Sequence, residues 1–106
     1  MSDKFDNVSV VKKANVFFDG KCVSHSVLFQ DGSRKTVGVV MPGSQLTFNV
    51  GVPELMEITA GTCEVKIAGE PAFSTYTTGA SFKVAANSSF EIHAGAEAVN
   101  YVCSFG

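Results

Sequence analysis

The most constraining feature of this chain is its punctuation. From about Val16 onward, short apolar-rich runs recur every eight to twelve residues, and the gaps between them carry turn-forming residues. The runs span approximately Cys22–Gln30, Arg34–Met41, Gln45–Val50, Glu54–Ala60, Cys63–Ala68, Phe73–Tyr76, Ala80–Ala85, Ser89–His93 and Ala98–Phe105. Between them lie Asp31-Gly32, Pro42-Gly43, Gly51-Val52-Pro53, Gly61, Gly69-Glu70-Pro71, Gly79, Asn87-Ser88 and Gly95. Gly and Asn supply positive φ and Pro presets a turn corner, so the chain reverses at these points. No run lasts long enough to make a helix, and the regular spacing predicts an all-β fold.

Period two supports this. Cys63, Val65 and Ile67 oppose Glu64 and Lys66; Leu46, Phe48 and Val50 oppose Gln45, Thr47 and Asn49; Val99, Tyr101, Cys103 and Phe105 oppose Asn100 and Ser104. Each strand therefore has one buried and one wetter face. Nine Phe and many Val and Thr suit such half-buried pleated surfaces. With 106 residues there is room for one core, and a single jelly-roll β-barrel disposes of the strand edges best. Residues 1–15 are polar and aperiodic and read as an N-terminal arm, with the barrel domain over 16–106.

Charge and cysteine usage narrow the partners. A net charge of -2 gives no basic stripe for nucleic acid. Cys22, Cys63 and Cys103 are odd in number and widely spaced, which fits buried free thiols in a reducing compartment better than disulfides or zinc. No stretch approaches the roughly 20 apolar residues of a membrane-spanning helix, and the first ten residues lack the order of a signal peptide. A cytoplasmic location is expected.

The turns also resemble the two motifs of the cupins. Gly43, Asn49, Gly51, Glu54 and Gly61 follow the first motif, with Asn49 and Gly51 where two histidines would stand; Gly79, Ala85, Asn87 and Phe90 follow the second, with Phe90 in place of the third histidine. One surviving ligand position, Glu54, does not hold a catalytic metal, so no metal and no other cofactor is expected. More closely, Phe18-Asp19-Gly20-Lys21, Thr36 through Gly43, Phe48 through Met56, Tyr76 with Gly79, Phe82-Lys83-Val84, Ser89-Phe90 and Tyr101-Val102-Cys103 together resemble the small cupin-fold pyrimidine/purine nucleoside phosphorylases over about Val16 to Phe105. Ala85 departs from the proline usual there. The resemblance implies a homodimer that cleaves purine and pyrimidine nucleosides with inorganic phosphate as co-substrate, giving free base and pentose 1-phosphate.

Such chemistry needs donors for phosphate, a carboxylate or hydroxyls for the sugar, and a flat apolar face for the base. Arg34, the single arginine, has the group best shaped for phosphate, and Thr36 shares its strand face; a solvated turn arginine is the plainer alternative. Glu54 is the candidate at the sugar, against a loop-edge carboxylate in water. Phe48 and Tyr76 are candidates for the base platform, with core packing the competing role for Phe48, while Tyr101 and Asn49 are candidate pocket residues. Two other functions fit the same fold: a non-catalytic sugar- or nucleotide-binding cupin, and a metal-dependent cupin isomerase or dioxygenase.

Overall fold

The computed structural model describes residues 3–106; Met1 and Ser2, the start of the expected arm, lie outside the described residues. Eleven strands are present among the described residues: β1 (Ser9–Val10), β2 (Asn15–Phe17), β3 (Cys22–Leu28), β4 (Arg34–Val40), β5 (Gln45–Val50), β6 (Glu54–Ala60), β7 (Thr62–Ile67), β8 (Ser74–Thr77), β9 (Ser81–Val84), β10 (Ser88–Ala94) and β11 (Val99–Phe105). Nine of them, β3 to β11, fall where alternation and turn residues predict strands, and β5 and β6 match residue for residue. The only helical element among the described residues is a single 3-10 turn at Phe18–Gly20, so no helix is long and apolar enough to cross a membrane.

All pairings are antiparallel. One sheet runs β1-β3-β4-β11-β6-β9, with β2 also on β3, and the other runs β5-β10-β7-β8. The sequence predicts a barrel with closed edges; the structure is a jelly roll of two facing sheets whose edges stay open. Its core sits between them, where alternate residues converge: Val40, Ile58 and Val99 from the first sheet and Cys63, Val65 and Ile92 from the second are almost wholly buried. Burying one such aliphatic side chain contributes roughly 1.5–3 kcal/mol.

Two strands have no counterpart in the sequence pattern. Ser9 and Val10 pair with Leu28 and Val27, and Asn15, Val16 and Phe17 pair with Ser24, Val23 and Cys22. Two or three residues are too few to show a period, so the arm's pairing to β3 is invisible to alternation. Phe5 then packs edge-on against Phe29 at 5.1 Å, and the Lys35 ammonium lies 5.5 Å from the Phe5 ring.

Glycines fix two close approaches. Gly61, at φ +91°, carries the chain from β6 in one sheet to β7 in the other, and a Cβ there would sit 2.5 Å from the Ala98 carbonyl oxygen. Gly38 on β4 pairs directly with Tyr101 on β11, and a Cβ there would meet the Tyr101 ring and hydroxyl at 2.6 Å. The phenol lies across the bare backbone because nothing larger than hydrogen fits beneath it. Tyr101 is only 6% exposed and cannot swing into solvent.

Gly38→Ala therefore should force the Tyr101 ring out of its bed. Overpacking of this kind costs about 1–3 kcal/mol. Denaturant or thermal unfolding should show a midpoint lowered by roughly 4 °C or more; an unchanged midpoint would mean that the ring has free space to yield into.

Candidate functional site

One small cavity of about 180 Å³ opens between the two sheets. Sheet alternation brings its walls together. Val40, Glu54, Met56, Tyr101, Cys103 and Phe105 project from β4, β6 and β11, Phe17 reaches in from β2, and Phe48, Asn49, Phe90 and Ile92 come from β5 and β10. Glu54 and Phe105 also line a wider hollow of about 610 Å³ at the end of the sheet, together with Lys83 and Gly106.

Glu54 is the single acid of the cavity. Its partner is the thiol of Cys103, which donates to Oε1 across 3.4 Å. Partial burial pushes the Glu54 carboxyl above its ordinary range, and the Cys103 hydrogen bond and the positive charge of Arg34 pull it partly back. Burial, with the Glu54 charge beside it, pushes the Cys103 thiol up to about 12, opposed by a hydrogen bond from Thr36 and by Arg34. At neutral pH this cysteine is a donor, not a thiolate.

Arg34 stands outside the cavity wall. As the first residue of β4 it is exposed, its guanidinium lies 4.3 Å from the centre of the Phe105 ring, and its Nη1 reaches Ser26 Oγ at 3.5 Å. It is exposed, as a solvated turn arginine is, but it rests on an aromatic ring and acts electrostatically on both Glu54 and Cys103. Thr36, one step inward on the same face, is buried.

Tyr101 lines the cavity with its hydroxyl already engaged, 3.3 Å from Cys22 Sγ and hydrogen-bonded to Ser24. Asn15 Nδ2 donates onward to Ser24 Oγ at 3.3 Å and to Ser26 Oγ at 3.4 Å. Burial above all, together with the Cys22 contact, drives the phenol pKa far up, so Tyr101 stays neutral. The three cysteines are all buried and free.

Phe48 stacks on Phe90 with ring centres 5.4 Å apart and contributes to the lining. Tyr76 does not: it packs on Phe82 at 4.9 Å, behind the cavity wall. Asn49 is exposed and meets the cavity at its edge, whereas Gln45 and Thr47 face water. The arrangement thus joins Glu54, Phe48, Asn49 and Tyr101, sets Arg34 and Thr36 alongside, and leaves Tyr76 out.

Alternation offered a signal for two lining residues the sequence reading did not name as site residues, since Cys103 and Phe105 share the face of Tyr101 on β11. Phe17 had none, its strand being three residues long.

A metal does not fit this donor set. No group of three His, Cys, Asp or Glu able to hold an ion occurs among the described residues. Phe90, at the third histidine position of the cupin pattern, is 2% exposed and occupied in ring packing. His25 Nδ1 contacts the Val11 carbonyl at 3.1 Å, and His93 pairs with Glu91 at 2.6 Å; neither lines the cavity.

Known proteins resemble this chain in sequence and in fold. The family model described as pyrimidine/purine nucleoside phosphorylase matches residues 12–105. A protein of Thiobacillus denitrificans named pyrimidine/purine nucleoside phosphorylase is 61% identical over 103 residues, 97% of this chain and 98% of that one. A solved structure of a protein of unknown function from Acinetobacter sp. ADP1 superposes with a TM-score of 0.95 at 48% identity, covering 99% of this chain and 100% of the other. A cupin domain of Schizosaccharomyces pombe shares the fold at TM-score 0.63 and 18% identity, over 80% of this chain and 61% of that one.

The raised Glu54 carboxyl has a consequence for stability. Because the folded chain holds this proton more tightly than the unfolded one, the associated stability is fully present below the unfolded value near 4.5 and is lost as pH rises through the folded value. Glu54→Gln, which keeps the acceptor for Cys103 without the charge, should therefore unfold at higher denaturant than the wild type at pH 7. The difference should shrink toward pH 4. A wild type that outlasts the variant at pH 7 would contradict this.

Proposed function

The chain belongs to the pyrimidine/purine nucleoside phosphorylase family, and on that premise we propose that it cleaves a broad range of purine and pyrimidine nucleosides with inorganic phosphate, without a metal, yielding free base and pentose 1-phosphate. The observation that carries this reading is the position of Glu54. A single carboxylate projects into an otherwise largely apolar cavity with the rim arginine acting on it electrostatically, in a chain whose whole domain matches the family.

In the reaction a phosphate oxygen bonds to the anomeric carbon while the glycosidic C–N bond breaks. The electron pair leaves with the base, and the ring nitrogen gains the proton that hydrogen phosphate gives up. Positive charge builds on the sugar in between. A carboxylate in a poorly solvated cavity stabilises that charge more than one in water does, because few water dipoles compete with it. Glu54 is assigned this role, accepting from the Cys103 thiol, which keeps one oxygen fixed.

Phosphate is assigned to Arg34 and Thr36. The guanidinium is exposed and held in orientation by the Phe105 ring, and it presents a fork of donors matched to phosphate oxygens. The base is assigned to the aromatic end around Phe48, since every base has a π-face, which tolerates purines and pyrimidines alike. Asn49 at the edge and Tyr101 in the wall complete the substrate contacts. At about 180 Å³ the cavity is smaller than the roughly 300–1,000 Å³ of pockets that enclose a whole ligand, so part of the nucleoside remains at the mouth. The family resemblance supports a homodimer, and three buried free thiols support a reducing, cytoplasmic setting.

Two substitutions separate the roles. Arg34→Ala removes a charge-assisted pair, a loss on the order of 1.5–3 kcal/mol, and should raise the phosphate requirement about ten- to a hundredfold with partial recovery at high phosphate. Glu54→Gln should lower turnover while the phosphate KM moves little. Release of free base from uridine and inosine, followed by absorbance with and without phosphate, reads both. Phosphate-independent release, or none, would overturn the proposed activity; normal turnover by a folded Arg34→Ala protein would overturn the phosphate assignment.

A second measurement addresses the metal. Incubation with a strong chelator followed by assay should leave the rate unchanged, whereas loss restored by one added divalent ion would return the chain to the metal-dependent cupins.

A further inference from the structure

The turn between β2 and β3 has a backbone that its sequence does not favour. Phe18 and Asp19 both adopt left-handed conformations, at φ 53° and 56°, and Gly20 follows at φ 91°. Aspartate tolerates this region, but a bulky aromatic residue there is an outlier that persists only when its surroundings over-determine it. What the conformation achieves is visible in the rings. Phe18 is set edge-on to Phe48 at 5.2 Å and Phe17 at 6.2 Å, so a hairpin on the edge of one sheet reaches across to the other.

These contacts do not bury the pair. Phe17 remains 42% exposed and Phe18 43% exposed, although each has an apolar surface large enough to favour full burial. Phe17 also lines the cavity. The open aromatic area therefore adjoins the cavity, directly at Phe17 and by way of Phe48 at Phe18. The carboxylate and the rim arginine belong to β6 and β4, on different walls. Neither Phe17 nor Phe18 carries a hydrogen-bonding group, which suits a ligand part recognised by its flat face rather than by its edge.

We infer that Phe17 and Phe18 form an aromatic lip that stacks the nucleobase of the substrate and sets how strongly different bases are held. This rests on the proposed reading of the cavity as a nucleoside site and names residues beyond those assigned there. The base lies at the mouth, its plane against the exposed rings, while the sugar faces Glu54 inside. Purines, with the larger face, gain more from the lip than pyrimidines.

The test uses the full chain, with inosine and uridine as probes. Calorimetric titration without phosphate reads binding apart from turnover, and steady-state assays give KM for nucleoside and for phosphate separately. Phe17→Ala and Phe18→Ala should each weaken nucleoside binding about five- to a hundredfold, more for inosine than for uridine, and leave the phosphate KM within about twofold. Phe18→Leu, which keeps apolar bulk without a π-face, should restore only part of the loss and stands in should an alanine variant fail to fold. Unchanged nucleoside affinity in folded variants, while the wild type turns over normally, would overturn the lip and leave the activity standing. Unchanged affinity accompanied by a fall in oligomeric state would also overturn it, making the exposed rings an interface between copies. A wild type that binds neither nucleoside would overturn both.

Discussion

The ring of Phe90 joins the two sheets through aromatic contacts on both. On the central strand pair of the smaller sheet, it stacks on Phe48 at 5.4 Å and receives the edge of Phe82 from the larger sheet, also at 5.4 Å. Tyr76 lies behind Phe82 at 4.9 Å, and Phe18 and Phe17 continue the series on the other side of Phe48. Offset and edge-to-face pairs of this kind are worth about 0.5–1.5 kcal/mol each beyond the area they bury. The row bridges two sheets whose edges are not joined into a barrel, and three of its members, Phe17, Phe48 and Phe90, line the cavity that holds Glu54.

That wall governs the electrostatics. Phe48, Phe90, Met56 and Ile92 line the same cavity as Glu54, whose carboxyl, partly buried, resists ionisation although a cation acts on it from the rim. The opposite wall is β11, where alternate residues have distinct tasks. Tyr101 fills the space over Gly38, Cys103 donates to Glu54, and Phe105 carries Arg34 on its ring. An ionised carboxylate here lowers stability at neutral pH. A cost of this kind is common where a protein keeps a charge for function, one reason functional residues are seldom the most stabilising choice.

Alternation and turn residues made the nine long strands legible, because both reflect a backbone requirement that each residue meets locally: Gly61 at positive φ, Leu46 inward and Thr47 outward. They could not reveal β1 or β2, which are held by pairing to β3 rather than by a pattern of their own. The site was legible where it lay on a strand face or in a motif frame. Glu54 kept its place in the cupin pattern, and Tyr101 brought Cys103 and Phe105 with it by period two. Tyr76 was misleading because an aromatic residue behind a wall and one in front of it look the same in sequence; only the distance to Phe82 tells them apart. The strained turn at Phe18 was hidden for a related reason, since Asp19-Gly20 signals a reversal but not that the residue before it takes part in left-handed geometry.

The position of Arg34 bears on how Glu54 keeps its own charge. A guanidinium inside the cavity would pair directly with Glu54, neutralising it and filling the space between the sheets. Seated against Phe105 outside the cavity wall, the same cation stays exposed, yet its field still reaches Glu54 and Cys103. The Phe105 ring holds the guanidinium by a cation–π contact at 4.3 Å, and among the described residues no salt bridge joins Arg34 to Glu54. A metal cupin meets the same problem by gathering its charged ligands on one ion. Here Phe90 occupies one of those ligand positions, and the cation rests on Phe105 outside the cavity that holds the carboxylate.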